Sequence, residues 1–535
     1  MNPSKITRRP WIVPAAVLIL TAAVYASCLS FEFVHDDHAQ IVGTRQFKSW
    51  RYAPSYFTRG VWAWQSPTAF VPYYRPAFQL WMLVNYKLFG EDPLWWHLTS
   101  VLMHLAVTLL VYLLALRWTK DQFTAGLAAA LFGLHPAHLE SVAWPSGITD
   151  PLAAFFVLLS LLCYLRAWRA AALACYGVAI LAKEVALVLP VLVFVYEWFH
   201  SEKETRLRRA LTGCAIFLPV AVLYFAARFA AIGWHRIGAT PMPLASLILT
   251  LPSILSFYLK HLIWPVNLSY FYMTPGPAIM PAALLAAAAA AVWLLARRSA
   301  WIAIGALWTV AALVPVFEIR VFNPNDALHD RYLYLPSVGF CLMLSVVLRR
   351  LPMPVATTVP ILAALAYGTV SQARYWENNQ ALFERAVTLT PRHAIANQCM
   401  GTVMFLRKRY SVAADYYRRA IEIQPNMADA IYGVGRSYYA LGMAAESERY
   451  FLRYIAQRPR DPRPYLYYGL ALMKRGELDD AERLIRFALK VRGPDEYANY
   501  HAALAEVLRK KGDPEGARRE DEAESRENPG ASANP

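Results

Sequence analysis

Acidic side chains are scarce before residue 374. That stretch holds 15 Asp and Glu against 27 Lys and Arg, a surplus of 12 positive charges. Charge of either sign is thin overall, at 17% of 535 residues, while 57% are hydrophobic. A soluble domain of this size carries more charge, so the composition excludes one and indicates a multi-span membrane protein. Only six cysteines occur (Cys28, Cys163, Cys175, Cys214, Cys341 and Cys399), and none forms a CxxC pair. Neither a zinc site nor a disulfide framework is indicated. No basic stripe or reading helix accompanies the positive charge, so nucleic-acid binding is excluded. The first apolar stretch, Trp11 to Leu29, lacks a convincing cleavage site and is followed by further spans, so it reads as a retained helix.

What is present is a succession of apolar runs of spanning length. They fall near 11–30, 94–117, 123–143, 148–167, 170–182, 184–199, 210–232, 280–296, 299–317, 332–348 and 354–373. Basic clusters separate them: Arg117/Lys120, Arg166/Arg169, Lys203 to Arg209, Arg297/Arg298 and Arg349/Arg350. Eleven spans with the N-terminus in the cytoplasm put all five clusters on the cytoplasmic side. The C-terminal part then lies outside. Tyr74 to Phe89 and Leu244 to Trp264 are apolar but interrupted, and read as interfacial or partly inserted helices.

From about Trp376 the pattern turns amphipathic. Gly401, Gly435 and Gly469 recur every 34 residues, as do Pro391, Pro425 and Pro459. That period, with small residues and a closing proline, is the tetratricopeptide signature. The expected fold is therefore all-α. A polytopic helical bundle occupies 1–373, and an α-solenoid of tetratricopeptide repeats occupies 374–535.

Polar residues gather at the outer ends of the expected spans. Asp36 and Asp37 follow the first, within Phe33-Val34-His35-Asp36-Asp37-His38, and Arg75 opens the interfacial helix. His135, His138 and Glu140 end the third and Asp150 begins the fourth. Lys183 and Glu184 join the fifth and sixth, and Arg320, Asp326, His329, Asp330 and Arg331 lie between the ninth and tenth. Each has a bland reading. Adjacent Asp residues suit a solvated turn, His135 and His138 suit an interface, Lys183 and Glu184 suit a structural ion pair, and Arg331 suits a headgroup anchor. Their shared face favours a site: carboxylates activate a nucleophile, and arginines grip phosphate in a bidentate fork. Asp36 and Asp37 are the catalytic candidates. Arg75, His135, His138, Glu140, Lys183, Glu184 and Arg331 are the substrate-binding candidates.

Seven short stretches carry a resemblance. They are Phe-Val-His-Asp-Asp at 33–37, Tyr-Arg-Pro at 74–76, His-Pro-Ala-His-Leu-Glu-Ser-Val-Ala-Trp at 135–144, Ala-Lys-Glu at 182–184, Trp-Pro-Val-Asn-Leu at 264–268, Asp-Arg-Tyr-Leu-Tyr-Leu-Pro at 330–336 and Tyr-Trp-Glu-Asn at 375–378. In this order the chain resembles transmembrane-and-tetratricopeptide proteins, which are similar to protein O-mannosyltransferases of the GT-C superfamily. The resemblance implies a GT-C-like bundle and a sugar donor carried on polyprenyl phosphate. It also implies an essential acid in the first external loop, where Asp36 matches the first residue of the family's Asp-Glu pair and Asp37 replaces the Glu. Asp36 is then the base for an acceptor hydroxyl, with Arg331, Arg75 and Lys183 toward the donor phosphate. No cofactor is required, although the His35, Asp36, Asp37 and His38 grouping also has the donors for a divalent cation. The repeats are expected to recruit a protein acceptor outside a bacterial inner membrane. The rival readings are a membrane-anchored tetratricopeptide scaffold without catalysis and a transporter of lipid-linked sugar.

Overall fold

The computed structural model describes residues 11–63, 73–233, 243–317, 328–492 and 499–527, and every regular element among them is a helix. Contacts divide the chain into two compact units, Met1–Arg385 and Ala386–Pro535.

In the first unit, seven helices among the described residues are long and apolar enough to cross a membrane. They are Ile12–Ser30, Pro93–Thr119, Pro145–Leu165, Arg206–Ile232, Ala245–Ile263, Ile279–Ala296 and Pro354–Trp376. The chain is thus a multi-pass membrane protein. A helix satisfies its backbone polar groups internally, which is what an apolar solvent demands. The ends are fixed by local chemistry. Asp92 caps Pro93–Thr119 by accepting the Leu94 N–H at 3.1 Å, and Lys120 closes it in a left-handed conformation at φ +56°. The helix Ile279–Ala296 has no fully buried side chain, so most of its apolar surface is left for lipid.

The expected runs differ from this set in two respects. First, five of the eleven form shorter helices: Gln122–Gly133, Arg169–Ala182, Leu189–His200, Ala300–Leu313 and Pro336–Arg349, of 12 to 14 residues. A fourteen-residue helix rises about 21 Å, short of the roughly 30 Å hydrocarbon core. The run 123–143 stops as a helix at Gly133, where His135-Pro136 turns the chain. The run 184–199 opens as a 3-10 turn over Glu184–Val188. Second, the segment expected to be interfacial at 244–264 is one continuous helix, Leu244–Ile263, that carries Pro252 in its interior. Tyr74 to Phe89 contains only the 14-residue helix Pro76–Phe89.

Ala300–Leu313 and Pro336–Arg349 pack backbone to backbone. A Cβ on Gly339 would lie 2.5 Å from the Gly305 carbonyl oxygen, a distance that no side chain tolerates.

The unit division at Arg385/Ala386 lies twelve residues beyond the boundary read from the change of pattern at 373/374. It falls inside the helix Asn379–Leu389. Trp376, Leu382 and Phe383 are buried, and Asn379 is tied to the first loop, so the opening of that amphipathic helix belongs to the membrane unit.

The second unit is built of helix pairs. Ala394–Leu406 packs on Tyr410–Ile423, Ala428–Ala440 on Ala444–Gln457, Pro462–Arg475 on Leu478–Val491, and Tyr500–Lys511 on Pro514–Glu527. The periodic glycines sit where the paired helices meet: a Cβ on Gly435 would lie 2.7 Å from the Phe451 ring. These pairs realise the tetratricopeptide pattern.

Candidate active site

The first loop begins where the 3-10 turn Ala26–Ser30 ends. Phe33 and Val34 are buried and anchor the strand of chain that follows. His35 then takes φ +49°, a left-handed conformation uncommon for a residue with a Cβ. Asn379 holds it there, its Oδ1 accepting the His35 N–H at 2.7 Å, while the Glu377 carbonyl accepts the Glu32 N–H at 2.9 Å. This reversal separates the two adjacent acids. Asp37 turns inward and is fully buried. Its Oδ1 accepts from the Ser146 backbone at 2.8 Å and the Ser146 hydroxyl at 2.6 Å, and its Oδ2 accepts from Val34 N at 3.0 Å. Burial pushes its carboxyl up to about 7, although the Ser146 and Val34 donors pull the other way. Asp36 keeps 28% of its side chain exposed and lies 3.6 Å from His35 Nε2.

Three cations face this loop from other elements, each paired with a carboxylate. Lys183 is extended, at φ −160° and ψ 143°, so it and Glu184 point to opposite sides. Lys183 Nζ donates to both oxygens of Asp150 at 2.6 Å. Glu184 Oε2 accepts from Arg75 Nε at 3.1 Å and Nη2 at 2.9 Å. Arg331 donates its guanidinium to Glu140 Oε1 and its backbone N–H to Oε2 at 3.0 Å. Burial lowers Lys183 to about 8, assisted by Arg75 and Arg331 and opposed by Asp150. Glu140 is buried too, yet Arg331 and His329 overcome that cost and hold its carboxyl at about 2.

Aromatic rings connect the acids to the cations. Arg331 lies 5.4 Å from the Trp144 ring and 5.2 Å from that of Tyr332, and Lys183 lies 5.1 Å from Tyr332. His35 lies 6.2 Å from Trp144 and 4.8 Å from Tyr270, ring to ring. A small cleft beside them is lined by Pro136, Glu140, Tyr270, Asp330, Trp376 and Arg385, among others. The His35 ring and the Arg331 guanidinium thus both lie against Trp144, and Arg331 and Lys183 both lie against Tyr332.

The expected site residues do not all meet. Arg75 pairs with Glu184, Lys183 with Asp150 and Arg331 with Glu140, while Asp37 is bonded to Ser146 and Asp36 lies beside His35. His138 is buried among Phe132, Tyr334 and His104, and His135 is buried beside it. His135 Nε2 contacts the Leu262 carbonyl oxygen at 3.0 Å and His138 Nε2 the Ser337 hydroxyl at 2.9 Å. Arg320 and Asp326 lie outside the described residues. Among the described residues no group of three or more His, Cys, Asp and Glu is placed to hold a metal ion. In the 35–38 grouping, Asp37 is committed to Ser146 and Val34, and His38 Nε2 lies 3.0 Å from Asn379 Nδ2.

Three contributors carried no sequence signal. Ser146 follows the 135–144 stretch and Asn379 follows the 375–378 stretch, each just outside the residues that stood out. Tyr270 belongs to no motif at all.

No family model matches the chain. Among curated proteins, it is 23% identical over 450 residues to Protein O-mannosyl-transferase F38B6.6 of Caenorhabditis elegans, covering 79% of this chain and 65% of that one. It is 24% identical to Protein O-mannosyl-transferase TMTC3 of Mus musculus, covering 93% of this chain and 62% of that one. The chain therefore spans less than two thirds of the length of these relatives. They carry the family name to which the seven sequence stretches pointed. Among solved structures, ArnT from Cupriavidus metallidurans bound to undecaprenyl phosphate is similar at 19% identity and a TM-score of 0.40, covering 85% of this chain and 81% of that one.

Proposed function

We propose that this chain is an inverting membrane glycosyltransferase with a GT-C-like bundle. It moves a sugar from a polyprenyl-phosphate donor to a hydroxyl of a protein acceptor, on the face of a bacterial inner membrane opposite a cytoplasmic N-terminus. The observation that carries the reading is the division of the acid pair. Asp37 is spent on Ser146 and Val34, which leaves Asp36 open beside His35, whose ring shares Trp144 with the Arg331 guanidinium.

Asp36 takes the proton of the acceptor hydroxyl as that oxygen attacks the anomeric carbon. The bond from that carbon to the donor phosphate breaks, and the lipid phosphate leaves with the electron pair. Its growing charge meets Arg331, Arg75 and Lys183, held in place beforehand by Glu140, Glu184 and Asp150. Preset cations avoid reorganisation during reaction, and they serve the leaving group without a metal. Asp37 acts as a positioning residue for the loop. The repeats recruit the acceptor.

The test is transfer by purified protein in nanodiscs, supplied with a panel of polyprenyl-phosphate hexoses and a Ser/Thr-rich peptide. A peptide heavier by one hexose, formed equally well in EDTA, supports the reading. No transfer from any donor contradicts it.

A further inference from the structure

Tyr270 links the acid side of the candidate site to the cation side. Ring to ring, it lies 4.8 Å from His35 and 5.5 Å from Trp144, the ring against which Arg331 packs. His329 and Trp376 complete its surroundings at 5.7 and 5.9 Å. Yet Tyr270 sits in a stretch of chain without regular structure, between the helices Leu244–Ile263 and Ile279–Ala296. No helical hydrogen bonds hold it, so side chains must fix its place.

Three contacts do so. Asn267 turns the chain at φ +57°, a conformation that asparagine tolerates. Arg385 Nε donates to the Leu268 carbonyl oxygen at 3.3 Å. The Tyr272 hydroxyl accepts the Ser269 N–H at 2.8 Å, which closes the turn around Tyr270, and it donates to Asp330 Oδ2. Tyr272 and Asp330 are both buried, so losing this bond strands polar atoms away from water. The second Asp330 oxygen lies 3.5 Å from His261 Nδ1. The Tyr272 ring itself is seated separately, 4.8 Å from Phe257 and 5.3 Å from His261.

We propose that Tyr272 and Asp330 are positioning residues for the transfer. Their hydrogen bond fixes the turn that holds the Tyr270 ring against His35, and His35 in turn flanks Asp36. The inference rests on the reading of Asp36 as the base. Loosening the turn moves that base, and a misplacement of about 1 Å costs about a hundredfold in rate. The cations are preset by Glu140, Glu184 and Asp150, so donor binding does not depend on the turn.

The test is Tyr272→Phe in the full chain, in nanodiscs with a polyprenyl-phosphate hexose and a Ser/Thr-rich peptide. The substitution removes only the hydroxyl and leaves the ring seated. The kcat should fall about tenfold to a hundredfold with the donor KM unchanged. Asp330→Leu should lose as much, and Asp330→Asn, which keeps an acceptor oxygen for Tyr272, should restore most of that loss. Tyr270→Ala acts on the same path, so adding Tyr272→Phe to it should slow transfer no further. Independently of transfer, chymotrypsin should cut within 268–273 about tenfold faster in Tyr272→Phe than in wild type, with native circular dichroism in both. Unchanged kcat in folded Tyr272→Phe overturns the inference, as does a rise in donor KM that accounts for the whole loss. Asp330→Asn as slow as Asp330→Leu also overturns it, because the charge and not the bond would then matter. If Tyr272→Phe does not fold, that contrast at Asp330 decides. A wild-type chain that transfers no sugar contradicts the proposed catalysis, and the cleavage rates then decide the turn alone, equal rates refuting it.

Discussion

Glu140→Gln is the perturbation that best separates structure from chemistry at this site. Glu140 has 1% of its side chain exposed and is bonded to the Arg331 guanidinium and backbone, with His329 Nδ1 3.3 Å away. The substitution keeps shape and one acceptor oxygen but removes the charge. Breaking a buried pair from one side costs about 3–5 kcal/mol. Arg331 retains 16% exposure, so water compensates in part and the cost should fall near the lower end, about 3 kcal/mol. Thermal unfolding of the purified protein, followed by tryptophan fluorescence, should show a drop of several degrees. Arg331→Met should likewise destabilise, because Glu140 keeps its charge with only the His329 ring and one backbone N–H left to meet it. The double variant leaves neither charge stranded and should unfold well above the temperature expected from adding the two losses. It should nevertheless be inactive, because the guanidinium is gone. Additive losses would refute the coupling. Activity in a stable double variant would show that Arg331 has no part in the chemistry.

Other expectations follow from the same contacts. Asp37 rises from 3.8 to about 7 on folding, so between those values the native state holds a proton that the unfolded chain has released. Its contribution to stability should be complete below about pH 4 and lost as pH climbs through 7, by about 4 kcal/mol at most; relative to Asp37→Asn, the wild type should lose unfolding temperature between pH 5 and 8, and a constant difference would contradict this. Gly435→Leu would drive its side chain into the Phe451 ring and cost about 1–3 kcal/mol or more. Limited proteolysis should then cut the repeats first while transfer to a small acceptor persists, and loss of that transfer in a folded protein would tie the repeats to the active site. Ser525→Cys, placed in a chain whose six cysteines have been replaced, should react with an impermeant thiol reagent in intact spheroplasts. Labelling only after lysis would reverse the proposed orientation and indicate that Leu244–Ile263 crosses the membrane.

The repeats were legible in the sequence because their constraint is steric and periodic. Gly435 must be small because Phe451 fills the facing position, and the same need returns every 34 residues. Long apolar helices were legible because their solvent requires them. The broken runs were less so: the apolar run continues past Gly133 and His135-Pro136 without registering that the helix has ended. The site was visible as residue types at helix ends, which is enough to bring Arg75, Lys183 and Arg331 to one patch. Side-chain direction was not visible. Asp36 and Asp37 are identical in type and adjacent, and only the left-handed turn at His35 sends one to Ser146 and leaves the other open. A histidine at a helix end likewise looks alike in the sequence whether it faces a cavity or, as His138 does, Ser337.

The most direct test of the account is the rate of sugar transfer by purified Asp36→Asn, measured beside wild type with a polyprenyl-phosphate donor. A general base contributes roughly 10²–10⁴-fold. The rate should fall by that factor while unfolding temperature and donor binding stay at wild-type values. Near-normal transfer by folded Asp36→Asn would contradict the assignment of the base.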